Sequence, residues 1–114
     1  MKKIFSLIVI AMAVCLCVTA KEVTTVCANH ILVESEADAI KLKNNIKSFD
    51  EFQYYAKAHS ICPSGRDGGA LGCFRREQMV KPFEDAAFNG EVGKVIGPVE
   101  TQFGYHLIWV TRKY

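Results

Sequence analysis

Lys2 and Lys3 open onto an apolar run from Ile4 to Ala20, interrupted only by Ser6 and Thr19 and ending in Val18-Thr19-Ala20 before Lys21. A basic start, an apolar middle and a small-residue end are the three parts of a secretory signal peptide. The run falls slightly short of the about 20 apolar residues that a membrane span needs, so the alternative is an uncleaved anchor formed by residues 4–20. Either way, only the part of the 114-residue chain from Lys21 onward is left to fold, enough for one small domain. The expected organisation is a leader over residues 1–20, a lead-in over 21–27 and a single domain over 28–114, exported to a periplasmic or secreted location.

The chain carries 14 Lys+Arg and 12 Asp+Glu, and loss of Lys2 and Lys3 with the leader makes the domain formally neutral. That leaves no electrostatic footprint for nucleic acid and no steering toward anionic lipid. Contact with a membrane is expected only through the N-terminal segment. Of five cysteines, Cys15 and Cys17 lie in the leader, which leaves Cys27, Cys62 and Cys73. An odd number in an exported domain means at least one free thiol. Three unpaired thiols in a small core is the expectation, and a Cys27–Cys73 disulfide with Cys62 free is the alternative, because sequence does not give the Cα separation.

Along the domain, Val26 to Val33 reads as a first strand. Ser35 with Asp38 and Ser48 with Glu51 are capping pairs that open two helices. Ala39, Leu42 and Ile46, with Ile40 beside them, form the buried stripe of the first, and Phe49, Phe52 and Ala56 that of the second, which runs to about Ala58. His59 to Gly69 is a Ser/Pro/Gly loop, followed by a strand over Ala70–Phe74. A third helix is expected from Lys81 to about Phe88, with Pro82 in its first turn and Asn89-Gly90 at its end. Val95–Glu100 and Tyr105–Thr111 are a strand pair turning at Gln102-Phe103-Gly104.

Chemistry-bearing residues fall on separate segments of this scheme. Cys62 precedes a proline at a chain reversal, a place where a thiol can be partly exposed. His30 and His106 each sit in strongly apolar strands, where a buried ring must satisfy two nitrogens. Two such rings can satisfy each other, although a core histidine with a backbone partner explains either one alone. Leu71, Met79, Phe83 and Phe103 lie near the same glycine-rich loop, and a thioether beside aromatics makes an adaptable pocket for a compact ring such as proline. His59 ends a helix and suits its negative dipole end. Cys27-x-x-His30 has no second Cys/His pair at finger-like spacing, and the glycines lack a Gly-Lys-Ser/Thr ending. Neither a metal nor a nucleotide cofactor is expected.

These blocks, His30-Ile31-Leu32-Val33, His59-Ser60-Ile61-Cys62-Pro63-Ser64-Gly65, Gly69-Ala70-Leu71-Gly72, Gln78-Met79, Pro82-Phe83, Gly97-Pro98-Val99 and Thr101-Gln102-Phe103-Gly104-Tyr105-His106, resemble in order and spacing the parvulin family of peptidyl-prolyl cis/trans isomerases. The resemblance implies an α+β fold, a four-stranded antiparallel sheet surrounded by about four helices in the order strand, three helices, strand, helix, two strands. It also implies a short helical turn around Arg75 to Val80. By the same likeness His30, Cys62, Thr101 and His106 are the catalytic cluster, with Thr101 bonded into the histidine pair, and Leu71, Met79, Phe83 and Phe103 hold the proline.

The implied activity is rotation of Xaa-Pro bonds in exported or unfolded polypeptides, by a domain acting as a monomer without cofactor. Phosphate-directed members of the family carry a basic loop after the first strand. This chain has only Glu34-Ser35 there, so it resembles the phosphate-independent type. Two other classes stay open at this level: a holdase chaperone using the same pocket without catalysis, and a thiol enzyme acting through Cys62. Neither Cys-x-x-Cys nor a cysteine-protease signature supports the latter.

Overall fold

The computed structural model describes residues 22–114, so the expected leader lies outside the described residues. Among the described residues, no helix is long and apolar enough to cross a membrane. The chain forms β1 (Thr25–Val33), α1 (Glu36–Asn45), α2 (Phe49–His59), a 3-10 turn at Pro63–Asp67, β2 (Ala70–Arg75), α3 (Lys81–Asn89), β3 (Val95–Thr101) and β4 (Gly104–Lys113). β1 opens at Thr25, within the stretch expected as lead-in.

The four strands make one antiparallel sheet in the order β2-β1-β4-β3. Its two central strands come from opposite ends of the domain, and Thr24 and Thr25 exchange backbone hydrogen bonds with Tyr114 at 2.8–3.0 Å. β1 is buried along almost its whole length, as a strand covered on both faces must be. On one face Ile31, Val33 and Leu107 pack with Ala39, Leu42 and Ile46 of the α1 segment and Phe52 and Ala56 of α2. On the other, Val26, Ala28, Ile108 and Val110 pack with Phe74 of β2 and Phe83, Ala87 and Phe88 of α3.

Both capping pairs act through their serines. Ser35 Oγ accepts from Asp38 N–H and Ser48 Oγ from Glu51 N–H, satisfying amides that the first turn of a helix leaves free. Ile40 is 44% exposed and takes no part in the buried stripe of α1.

Two expectations are corrected. The short third helix is the 3-10 turn at Pro63–Asp67, inside the loop and ahead of β2, whereas Arg75 to Val80 is a tight turn without helix. Proline early in a short run of small and polar residues favours such a turn. Cys27 and Cys73 are joined in a disulfide, not free, and Cys62 is the unpaired thiol among the described residues. The cause is register: antiparallel pairing of β1 and β2 sets Cys27 directly opposite Cys73, with Cα atoms 3.9 Å apart. Cross-strand register is a tertiary property that neither cysteine's neighbours announce.

Candidate functional site

The register of β1 and β4 decides where the histidines go. His30 lies opposite Ile108 and Leu32 opposite His106, so both imidazoles project from the same face as diagonal neighbours. That face is the one α3 covers. His30 and His106 are 5% and 4% exposed, their rings stack with centroids 5.2 Å apart, and their Nδ1 atoms are 3.0 Å apart.

The loop that carries Cys62 is stitched to β1 along its length. Ile61 N–H donates to Leu32 O at 2.8 Å, Leu32 N–H to Ser60 Oγ at 3.1 Å, His30 N–H to Gly69 O at 2.9 Å and Asn29 Nδ2 to Gly68 O at 3.0 Å. Gly69 takes φ +86°, and a Cβ there would overlap the His30 carbonyl oxygen. The close approach of this loop to the His30 backbone therefore requires glycine.

These contacts complete a hydrogen-bonded chain. His30 Nε2 meets Ser64 Oγ at 3.0 Å, and Ser64 donates to Cys62 Sγ at 3.3 Å. At the other end His106 Nε2 meets Thr101 Oγ1 at 2.7 Å, and Phe103 N–H donates to Thr101 Oγ1 at 3.1 Å. With both rings neutral, the direction of the Ser64 hydroxyl fixes the rest. Ser64 accepts from His30 Nε2–H, so His30 Nδ1 accepts from His106 Nδ1–H and His106 Nε2 accepts from the Thr101 hydroxyl.

Neutrality has a physical source. Burial, and then the neighbouring His106, push the His30 pKa down from 6.5 to about 4, and burial lowers His106 as well.

Beside the pair opens a mainly apolar cavity of about 480 Å³. Seven of the eight residues singled out in the sequence line it: His30, Cys62, Leu71, Met79, Phe83, Phe103 and His106. Thr101 stands behind His106, in the network but not on the wall. Phe83 joins wall to network, its ring meeting His30 and His106 edge-on at 5.7 Å and 5.2 Å. Phe103, in the two-residue β3–β4 turn, lines the cavity while staying 58% exposed. His59 lies apart, at the end of α2, with its ring stacked on Tyr55.

Leu32, Ile61, Pro63, Gln78 and Val80 complete the wall and were not singled out in the sequence. Ser64 was also missed. A count of nitrogens signals a missing partner without naming it: two buried imidazoles in contact leave one outer nitrogen each, Thr101 serves one, and the other needs a polar group that only the fold of the Cys62 loop supplies.

The cavity has the size and apolar lining to take a compact apolar ring, set against neutral hydrogen-bonding groups. His30 connects to Cys62 through Ser64, which donates to the sulfur and takes no proton from it. That arrangement differs from a base placed against a nucleophilic thiol.

The family model described as "Rotamase: PPIC-type PPIASE domain" matches residues 24–112. Foldase protein PrsA of Geobacillus sp. (strain WCH70) is 46% identical over 87 residues, covering 75% of this chain and 32% of that protein. The foldase protein PrsA of Bacillus subtilis (strain 168) is 40% identical over 87 residues, 75% of this chain and 30% of that protein. The chain thus spans about a third of the length of these curated relatives.

Among solved structures, one of the two SurA-like chaperones of Campylobacter jejuni, the virulence factor PEB4 and the periplasmic protein Cj1289, superposes with a TM-score of 0.77 at 40% identity, over 81% of this chain and 40% of that one. The Pin protein of the psychrophilic archaeon Cenarcheaum symbiosum superposes with a TM-score of 0.71 at 39% identity, over 82% of this chain and 98% of that one.

Proposed function

The chain belongs to the family of PPIC-type peptidyl-prolyl isomerase domains, and from that premise we propose that it catalyses cis/trans rotation of Xaa-Pro bonds in exported polypeptides, without phosphate selectivity and without a covalent intermediate. The observation that carries this reading is the apolar cavity walled on one side by a neutral, hydrogen-bonded imidazole pair.

Rotation of a peptide bond costs about 18–20 kcal/mol because twisting destroys amide resonance. A catalyst must bind the twisted amide better than either planar isomer. Leu71, Met79, Phe83 and Phe103 hold the prolyl ring, fixing one side of the bond while the preceding carbonyl turns. The planar amide is the more charge-separated state, so surroundings of low polarity favour the twisted one relative to water. Cys62, His30 and His106 face the rotating carbonyl with fixed dipoles that need no reorganisation during the turn, and Thr101 holds His106 in place from behind. Two neutral rings suit this role, since a buried cation would favour the polar planar form.

Absence of phosphate selectivity follows from the connection after β1. α1 starts at Glu36, so only Glu34 and Ser35 separate strand from helix, and Ser35 is occupied in capping. A phosphate there would meet Glu34 where guanidinium donors are required. Export is inferred from the basic and apolar leader, and fits the likeness to a pair of SurA-like chaperones of which one, Cj1289, is called periplasmic.

The test is a protease-coupled or exchange-NMR assay across a library of Xaa-Pro peptides, with Cys62→Ser and His30→Ala alongside. The expected result is wild-type acceleration with no preference for phosphoserine before proline, partly retained in Cys62→Ser. Complete loss in Cys62→Ser with trapping of a substrate adduct on Cys62 would overturn the non-covalent reading. Suppression of client aggregation by wild type and His30→Ala alike, with no acceleration by either, would identify a holdase instead.

A further inference from the structure

Among the described residues four polar or charged side chains are buried: His30 and His106, Asn29, and Glu84. The imidazoles form the pair and Asn29 holds the loop through Gly68, which leaves Glu84 without a role. This carboxylate is 3% exposed, in the first turn of α3, and faces the turn that links β2 to that helix. One oxygen accepts the backbone N–H of Glu77. The other lies 3.2 Å from the Arg76 guanidinium and 3.7 Å from Lys81 Nζ.

The Arg76 guanidinium also lies over the Phe88 ring, 4.3 Å from its centroid, and Arg75 N–H donates to the Gln78 side chain at 2.8 Å. Glu77 itself sits at φ +72°, the one non-glycine residue with positive φ among those described. Residues are held in that region only where the surroundings over-determine them, and such positions cluster at ligand sites.

A well-packed apolar side chain at position 84 would avoid the desolvation that a buried carboxylate suffers. What the carboxylate adds is an acceptor for the turn amide and an anchor for Arg76. The Glu77 amide first, and then Arg76 and Lys81, hold its pKa below the usual carboxylate range, so both oxygens remain acceptors. The next three residues along the chain, Gln78, Met79 and Val80, all line the proline cavity.

We propose that Glu84 is a positioning residue for substrate: by gripping the Glu77 amide and the Arg76 guanidinium it holds Gln78-Met79-Val80 as a preformed wall of the cavity. It thereby sets affinity for the prolyl ring and leaves the rotation step to the imidazole side. This rests on the isomerase reading above.

The experiment compares the wild-type chain with Glu84→Gln in three measurements: steady-state isomerisation of an apolar-Pro peptide, the Met79 methyl NMR shift with and without that peptide, and hydrogen exchange of the Glu77 amide. The expected outcome is a KM raised about tenfold with kcat within about twofold of wild type. It also includes a displaced Met79 methyl signal and a wild-type Glu77 amide as protected as those of α3.

Equal KM values and an unmoved Met79 signal would overturn the proposal, as would a fall in kcat at unchanged KM. Exchange and methyl shift need no turnover, so they judge Glu84 even if the wild type isomerises nothing, a result that would sink only the isomerase reading. Should Glu84→Gln fail to fold, wild-type exchange decides: fast exchange at Glu77 overturns the assignment, and protection supports it.

Discussion

His30 Nδ1 lies 3.0 Å from His106 Nδ1, with the two rings only 19° from parallel. One proton occupies that contact. A second, on His30 Nδ1, would set two donors against each other between buried rings, so the contact holds His30 in its neutral form. The outer nitrogens are held by hydroxyls of Ser64 and Thr101, groups that donate or accept equally well and therefore impose no charge.

Acid should act on this pair in a definite window. In the unfolded chain the His30 imidazole titrates near 6.5, whereas in the fold it does so near 4. The unfolded state thus binds more protons between these values, and stability falls as pH drops through that range. The stabilisation is fully present above 6.5 and lost by about 4. For His30 the loss is at most about 3 kcal/mol. Urea unfolding at stepped pH checks this, and catalysis should stay level from neutral pH down until it approaches the same lower limit.

Truncating the pocket methionine gives a cleaner test than truncating the phenylalanine. Phe83 is 3% exposed and packs on Phe74, so Phe83→Ala should cost about 3–5 kcal/mol of stability and confound activity with folding. Met79 is only half-buried. Met79→Ala should lower kcat/KM for an Xaa-Pro peptide about tenfold, while a thermal melt moves by no more than a few degrees.

Ser64→Ala leaves His30 Nε2–H in the interior without its acceptor. The expected cost is about 1–3 kcal/mol of stability, with a kcat about tenfold lower because the ring is free to take the other tautomer. Ser64→Thr should restore most of both. Nitrogen-15 NMR of the imidazoles reads the tautomers directly, and an unchanged spectrum in Ser64→Ala would contradict the network.

The disulfide closes a loop of sequence separation 46 that contains α1, α2 and the Cys62 loop. Restricting the unfolded chain in this way contributes up to about 4 kcal/mol in the chain-entropy treatment. Cys27→Ser/Cys73→Ser should therefore unfold at lower denaturant than wild type, and reduction of the wild type should reproduce that shift. In the residue 21–114 fragment, thiol titration should find one free cysteine before reduction and three after.

The parts of this fold legible in the sequence are those written in short-range patterns. Ser35/Asp38 and Ser48/Glu51 mark where α1 and α2 begin, and Ala39-Leu42-Ile46 marks the buried side of α1. Pro82 and Asn89-Gly90 bracket α3. The candidate site was legible through its apolar setting: a histidine ahead of Ile31-Leu32-Val33 in one strand, and another ahead of Leu107-Ile108-Trp109 in a second, suggested buried rings in need of partners.

What stayed hidden depends on which residues of distant segments face each other. Cys27 and Cys73 pair because of a strand register. Ser64 joins His30 because the loop folds back over β1. Glu84 reads as an ordinary acidic residue at a helix start until burial removes it from water. The 3-10 turn at Pro63–Asp67 is too short to carry a periodic signal.

The meeting of Thr24 and Thr25 with Tyr114 has a consequence for how such a domain is used. A unit entered and left at adjoining points can be spliced into a loop of a host polypeptide as a cassette, without prying apart the host's own packing. Because the two imidazoles stand on the strands nearest those points, strain from a host would reach the reaction centre through one layer of backbone. A longer protein that carried this module in that way would pull on the strands of the imidazole pair through the splice itself.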